Sequence, residues 1–323
     1  MSTPEMSRAR GGIDLGGTKI QTVVVGADHE VLGQARTETP RRGGPDGIAA
    51  AMAGCLREAA EGAGYATDVL SGIGVGSPGE VDTQAGTITG ARNLDGWNGS
   101  FALAPTLRQS LGAPIFIGND VQVATTAEFE LGAGKPYGSV LGVFWGTGVG
   151  GGIVLDGKDW LGRGGAGEIG HMVVKIGGRR CPCGNRGCME AYAGRAAMEA
   201  RARKLAGKGK KTKLFDLMEA KGKDRLTSSV WERAVKRGDK LTEKLLDEAV
   251  EALGAGVASA VNLLDVEAVI LGGGLGVRFG ERYGPAIEKR MHKSLFDSDN
   301  PPAFHVAELG DLGGAIGAAL LVK

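Results

Sequence analysis

Residues 11–33 read "GGIDLGGTKIQTVVVGADHEVLG", and residues 140–162 read "VLGVFWGTGVGGGIVLDGKDWLG". Each stretch is an apolar run, a glycine turn with a threonine, a second apolar run and an Asp-Gly-type turn. "TVVV" is β-branched and apolar, and the intervening Asp and Gly are turn residues. Residues 12–36 are therefore expected as strand, turn, strand, turn, strand. Two copies of one supersecondary unit point to a duplicated α/β domain. Two unrelated glycine-turned hairpins are the alternative.

Working outward, Asp46 to about Gly62 has helical character, with Asp46 as candidate N-cap. "LSGIGVGSP" (70–78) is a short strand, and "PIFIGND" (114–120) is another that delivers Asn119 and Asp120 at its end. "VQVATTAEFELGAG" (121–134) then reads as a helix stopped by glycine. Residues 195–260 are helical and polar. "VEAVILGGGLG" (266–276) is a buried-type strand ending in three glycines, with a helix expected from about Arg278. "GDLGGAIGAALLVK" (310–323) reads as a small-residue helix.

A length of 323 residues suits about two domains. The 58 glycines are about 18% of the chain, against a usual ~7%. They sit at the ends of apolar runs, which favours tight turns and close backbone approaches over disorder. A net charge of +1 gives no pull toward nucleic acid or anionic membrane. "MSTPEMSRAR" offers no signal-peptide core, and the longest uncharged stretch is short of the ~20 residues a membrane helix needs. A cytoplasmic protein without nucleic-acid or membrane partners is the expectation.

Three stretches carry chemistry. In "DLGGTK" (14–19), glycines let backbone N–H groups approach a phosphate while Thr and Lys add a hydroxyl and a charge. It lacks Walker A spacing. With "GTGVGGG" (146–152) and "GGG" (272–274) it makes three glycine turns, each after an apolar strand, suited to a nucleotide held between two domains. In "GND" (118–120), a carboxylate at a strand end can take a proton from a hydroxyl, or it can cap the next helix. Cys181, Cys183 and Cys188, with His171 ten residues earlier, make a Cys3His donor set that fits structural zinc. Three unpaired thiols are the alternative. Glu168 and Glu190 bracket that loop, as a polar cluster for a polyhydroxyl ligand or as part of a surface salt-bridged to Arg179, Arg180 and Arg186. The basic run "RARKLAGKGKKTK" (201–213) is a solvated helix face or a polyanion site.

In this order, "DLGGTK", "GND", "GTGVGGG", "EIGH", "CPCGNRGCME" and "GGG" resemble the ROK family of bacterial sugar kinases and regulators, over residues 12 to about 320. "GVGSPGEVD" (74–82) and "NLDGW" (93–97) are similar to segments that contact the sugar in the family's glucokinases. The resemblance implies an α/β, actin-like ATPase fold, two RNase-H-like domains around a central cleft. The small domain would take residues 1–122 plus 307–323, and the large domain 123–306 with the zinc loop. It implies ATP-dependent phosphorylation of the glucose 6-hydroxyl with Asp120 as general base. Gly79, Asn93, Asn119, Glu168, His171 and Glu190 would surround the sugar. Gly16, Gly17, Thr18, Lys19, Thr147, Gly148, Gly273 and Gly274 would bind nucleotide, and Asp14 would place Mg2+ through water. His171, Cys181, Cys183 and Cys188 would hold the zinc, whose four protein ligands leave no open position for catalysis. A homodimer or homotetramer is also implied.

The alternatives are a kinase for another hexose or an N-acetylhexosamine, a polyphosphate-using glucokinase, and a non-catalytic sugar-responsive regulator. The family's regulators carry a DNA-binding domain ahead of the sugar domain. About ten residues precede the first strand here, so a regulator is not expected.

Overall fold

The computed structural model describes residues 8–91 and 94–323. Asn93 lies outside the described residues. In chain order the first elements are β1 (Arg10–Leu15), β2 (Lys19–Val25), β3 (Val31–Glu38), α1 (Gly44–Gly62) and β4 (Ile73–Ser77). Then come β5 (Glu80–Asp82), β6 (Thr87–Thr89), β7 (Ser100–Phe101), α2 (Leu103–Leu111), β8 (Ile115–Asn119) and α3 (Asp120–Leu131). The middle of the chain holds β9 (Val140–Trp145), β10 (Val149–Leu155), β11 (Lys158–Asp159), α4 (Glu190–Ala193), α5 (Arg195–Ala206), α6 (Leu214–Glu219) and α7 (Ser228–Lys236). The last elements are α8 (Lys240–Leu264), β12 (Ala268–Gly272), α9 (Gly273–His292), β13 (Ala303–Val306) and α10 (Gly313–Ala319). They pack as two units. One holds residues up to Lys135 with 159–166 and 308–323, and the other holds 136–158 and 167–307.

The first unit has a five-stranded sheet in the order β3-β2-β1-β4-β8. β1–β2 and β2–β3 are antiparallel, while β1–β4 and β4–β8 are parallel. Side chains alternate across a strand, and the two faces are built differently. Ile13, Leu15, Val24, Ile73 and Val75 join Ile48, Met52 and Leu56 of α1 and Leu103 and Leu107 of α2 in the main core. Val23 and Val25 point the other way, onto Ala315, Ile316 and Ala319 of α10. On that second face β1 and β4 present Gly12 and Gly74, and a Cβ at either would strike the α10 backbone at Ala315 or Ala318. Glycine here lets a helix lie directly on strands.

The second unit repeats the plan, in the order β11-β10-β9-β12-β13. β9–β10 is antiparallel, and β9–β12 and β12–β13 are parallel. The repeat seen in the sequence is a repeat of topology. Trp145, Val143, Ile270, Leu271 and Phe279 are buried in this unit.

Three local expectations need correction. α1 begins at Gly44, and Gly43 rather than Asp46 occupies the cap position; Asp46 lies in the first turn, beside the orphan N–H groups. α9 begins at Gly273, not near Arg278, because these glycines pack against β9. Gly150–Gly152 belong to strand β10 rather than to a turn. Among the described residues, no helix is long and apolar enough to cross a membrane.

Candidate active site

In the first unit every expected site residue that is described falls at the carboxyl ends of the parallel strands β1, β4 and β8. That edge is where open α/β sheets bind ligands. Asp14 is the last polar residue of β1 and shares the α10 face with Gly12. In register it pairs with Gly76 on β4, which pairs with Gly118 on β8. Gly76 lies so close to α3 that a Cβ there would come within 3.4 Å of the Asp120 Cα. Asp14 and Asp120 thus rise from one end of one sheet.

The two readings of "GND" separate here. Asn119 is the helix cap, its Oδ1 accepting from the N–H groups of Val121 at 3.0 Å and Gln122 at 3.1 Å. With Oδ1 so engaged, Asn119 can offer a ligand only its amide N–H2. Asp120 is the first residue of α3, half-buried, with Oδ1 2.9 Å from the Val121 nitrogen.

Asp14 faces Gly314, where a Cβ would meet its carboxyl at 2.8 Å. Burial pushes the Asp14 carboxyl up from 3.8 to about 6; Lys19 opposes that rise and Asp311 adds to it. Gly16, Gly17 and Thr18 form the turn after β1, closed by Gly16 N–H donating to the Lys19 carbonyl at 3.0 Å. Lys19 Nζ is 3.4 Å from Asp311, a residue that no sequence motif marks. Gly79 follows β4 with φ +95, and a Cβ there would lie 2.8 Å from the Thr89 carbonyl. Of "NLDGW", Leu94 and Trp97 belong to the core.

In the second unit the turn after β9 is tied to two neighbours. Arg195 donates from Nη2 to Thr147 Oγ1 at 2.7 Å, and its backbone N–H donates to the Gly146 carbonyl at 3.1 Å. Val149 N–H donates to Glu190 Oε2 at 3.0 Å, and a side chain at Gly148 would collide with that carboxylate. No sequence pattern marks Arg195, because Gly146 and Thr147 lie nearly fifty positions from it. After β12, Gly272 packs on the Phe144 ring, while Gly273 has φ +80 and a Cβ there would be 2.6 Å from the Trp145 carbonyl. A Cβ at Gly274 would meet no other described residue within 4 Å, which leaves room for a ligand on that side.

His171, Cys181, Cys183 and Cys188 bring one donor atom each to within 4.8 Å of one another. Zn–S bonds of ~2.3 Å and Zn–N of ~2.1 Å at tetrahedral angles give edges of about 3.8 Å (S to S) and about 3.6 Å (S to N). Cys183 and Cys188 have sulfurs 3.7 Å apart, and Cys181 Sγ is 3.6 Å from His171 Nδ1. The four residues fit zinc, with Nδ1 as the imidazole donor. His171 Nε2 is 3.8 Å from Glu168. Burial pushes the Cys181 thiol up to about 12 and raises Cys188, while the backbone hydrogen bond at Asn185 lowers Cys183. Buried thiols that resist ionisation on their own are what a bound dication would deprotonate. The salt-bridged-surface alternative finds two of its arginines engaged elsewhere. Arg179 pairs with Glu248 and lies 4.5 Å from the Tyr192 ring centre, and Arg186 donates to the Gly178 carbonyl.

The ROK family model matches residues 10–323. The chain belongs to the ROK family. A glucokinase of Thermotoga maritima is 30% identical over 314 residues, 97% of this chain and 96% of the relative. An N-acetylgalactosamine kinase of Shewanella is 32% identical, covering 96% and 95%. The crystal structure of a ROK family glucokinase from Streptomyces griseus in complex with glucose and AMPPNP matches with a TM-score of 0.82 and 32% identity, covering 97% of this chain and 98% of that one. This ROK protein accordingly has the α/β, actin-like ATPase fold of the family's sugar kinases. Its relatives support kinase activity on a sugar, and the Streptomyces griseus neighbour holds glucose and AMPPNP.

Proposed function

We propose that this ROK protein is a glucokinase that transfers the γ-phosphoryl group of MgATP to the 6-hydroxyl of glucose. The observation that carries the reading is the division of labour in "GND": Asn119 caps α3, so the carboxylate of Asp120 at the strand end is not the cap. Asp120 takes the proton of the 6-hydroxyl as that oxygen attacks the γ-phosphorus and ADP leaves. Phosphoryl transfer needs little more than positioning, charge neutralisation and such a base. Asp14 orients the water shell of the nucleotide's Mg2+. The Asn119 amide, Glu168, His171 and Glu190 hold sugar hydroxyls, with Asn93 and the Gly79 backbone nearby. The turns at Gly16–Lys19, Thr147–Gly148 and Gly273–Gly274 serve the nucleotide. Thr147 accepts from Arg195 and still has its O–H to donate. Zinc held by His171, Cys181, Cys183 and Cys188 would supply rigidity to the loop that Glu168 and Glu190 flank.

The second reading is an N-acetylhexosamine acceptor, favoured by the 32% identity to an N-acetylgalactosamine kinase. A coupled ADP assay over glucose, mannose, fructose, N-acetylmannosamine and N-acetylgalactosamine, with ATP and with polyphosphate, tests both. Highest kcat/KM for glucose with ATP is expected. A higher value for any other sugar of the panel overturns the acceptor, and turnover with polyphosphate alone overturns the donor.

A further inference from the structure

Glu128 is 2% exposed, in the third turn of α3. Three backbone N–H groups donate to its carboxylate: Ala133 at 3.2 Å and Glu308 at 3.0 Å to Oε2, and Leu309 at 2.9 Å to Oε1. A buried carboxylate offers only acceptors, and here each donor is a piece of main chain. Glu308 and Leu309 lead directly to Asp311, which pairs with Lys19, and to α10, which covers Asp14. Glu128 therefore joins the helix that starts at Asp120 to the segment that borders Asp14.

The contacts around it explain why such a pin is needed. α10 touches α3 through Gly317, where a Cβ would strike the Val123 carbonyl, and α3 rests on β4 at Gly76. Glycine surfaces are smooth and do not lock register by interdigitation. Leu131 adds one apolar contact to the α10 cluster, and polar ties supply further register along this seam. At its N-terminus α3 has the Asn119 cap, and near its C-terminus it has Glu128, about 12 Å along the axis from Asp120.

We infer that Glu128 is a positioning residue for phosphoryl transfer, holding the Asp120 helix and the Asp311–α10 segment in one register. The inference rests on the reading of Asp120 as base. Glu128→Gln is not a mild change here, because it turns an amide N–H2 toward backbone donors. The expected loss in kcat is about 10–100-fold, the scale for a displacement of roughly 1 Å at the reacting centre, with the glucose KM within about threefold of wild type.

A double-mutant cycle separates positioning from general weakening. In an Asp120→Asn background the Glu128→Gln penalty on kcat should shrink to under about threefold, because the same function is already lost. Leu107→Ala, a core change within α2, matched for loss of Tm, should leave kcat within about threefold. Amide hydrogen exchange supplies a readout that needs no substrate. Glu128→Gln should speed exchange at Val121–Val123 together with Glu308–Leu309. Unchanged kcat, additive penalties in the cycle, or faster exchange confined to 308–309 would overturn the inference. A wild-type protein that phosphorylates no sugar would end the glucokinase reading. In that case the exchange measurement alone decides whether Glu128 couples the two segments.

Discussion

Asp14 is expected to make the protein less stable than it could be, in a pH-dependent way. Unfolded, its carboxyl ionises near 3.8; folded, near 6, chiefly through burial. Below pH 3.8 the group is protonated in both states and has no effect. Between 3.8 and 6 the folded chain binds the extra proton, so stability falls as pH rises, and above that window the full penalty persists. About two pKa units at 1.36 kcal/mol each give about 3 kcal/mol. Asp14 is itself only half-buried, and the solvent that reaches it trims this to about 1–3 kcal/mol. Asp14→Asn keeps the shape and removes the charge. It should raise the Tm by a few degrees at pH 8, with the gain vanishing toward pH 4, as read by thermal unfolding of both proteins in parallel. Activity should collapse in the same variant, and Mg2+ with a nucleotide should stabilise the wild type more than the variant, since a cation beside Asp14 relieves its burial. A variant no more stable than wild type at pH 8, or a difference flat with pH, would refute the reasoning.

Asp120→Asn should lower kcat by about 10²–10⁴ while calorimetry shows glucose affinity within a few-fold, the pattern for loss of a general base; near-normal turnover would remove Asp120 from that role. Elemental analysis should give one zinc per chain, and Cys188→Ser should lose it and raise the glucose KM at least tenfold. A zinc-free protein with an unchanged KM would contradict the loop-ordering role. Gly273→Ala forces a Cβ to 2.6 Å from the Trp145 carbonyl at φ +80 and should destabilise by about 1–3 kcal/mol in thermal melts. Gly274→Ala meets nothing within 4 Å, so it should leave Tm unchanged and weaken only nucleotide binding, an assignment that equal effects of the two changes would defeat.

What could be read in advance was what is local in sequence. The duplicated hairpins were visible because β-branched runs and Gly/Thr turns recur within two dozen residues. The metal donors were visible because three cysteines fall within eight positions. The small β5–β6–β7 sheet was not seen, since strands of two or three residues leave no alternation to detect. Three successive glycines read as a loop, which hides the start of α9 at Gly273, although Gly272 and Gly273 are glycine to pack on Phe144 and Trp145. "GND" alone could not decide between cap and base; the hydrogen bonds of Asn119 assign the cap. Glu128 had no signal at all, because two of its three donors lie 180 positions or more along the chain.

The seating of α10 on bare strands has a consequence for synthesis. Its landing surface, Gly12 and Gly74, leaves the ribosome early, but the helix that fills it, starting at Gly313, is translated about 240 to 300 residues later. The first unit must wait, with Val23 and Val25 uncovered, while most of the second, residues 167–307, can form as it emerges. Nascent chains stalled before residue 308 should therefore hold a protected second sheet beside a sticky, chaperone-accessible first one.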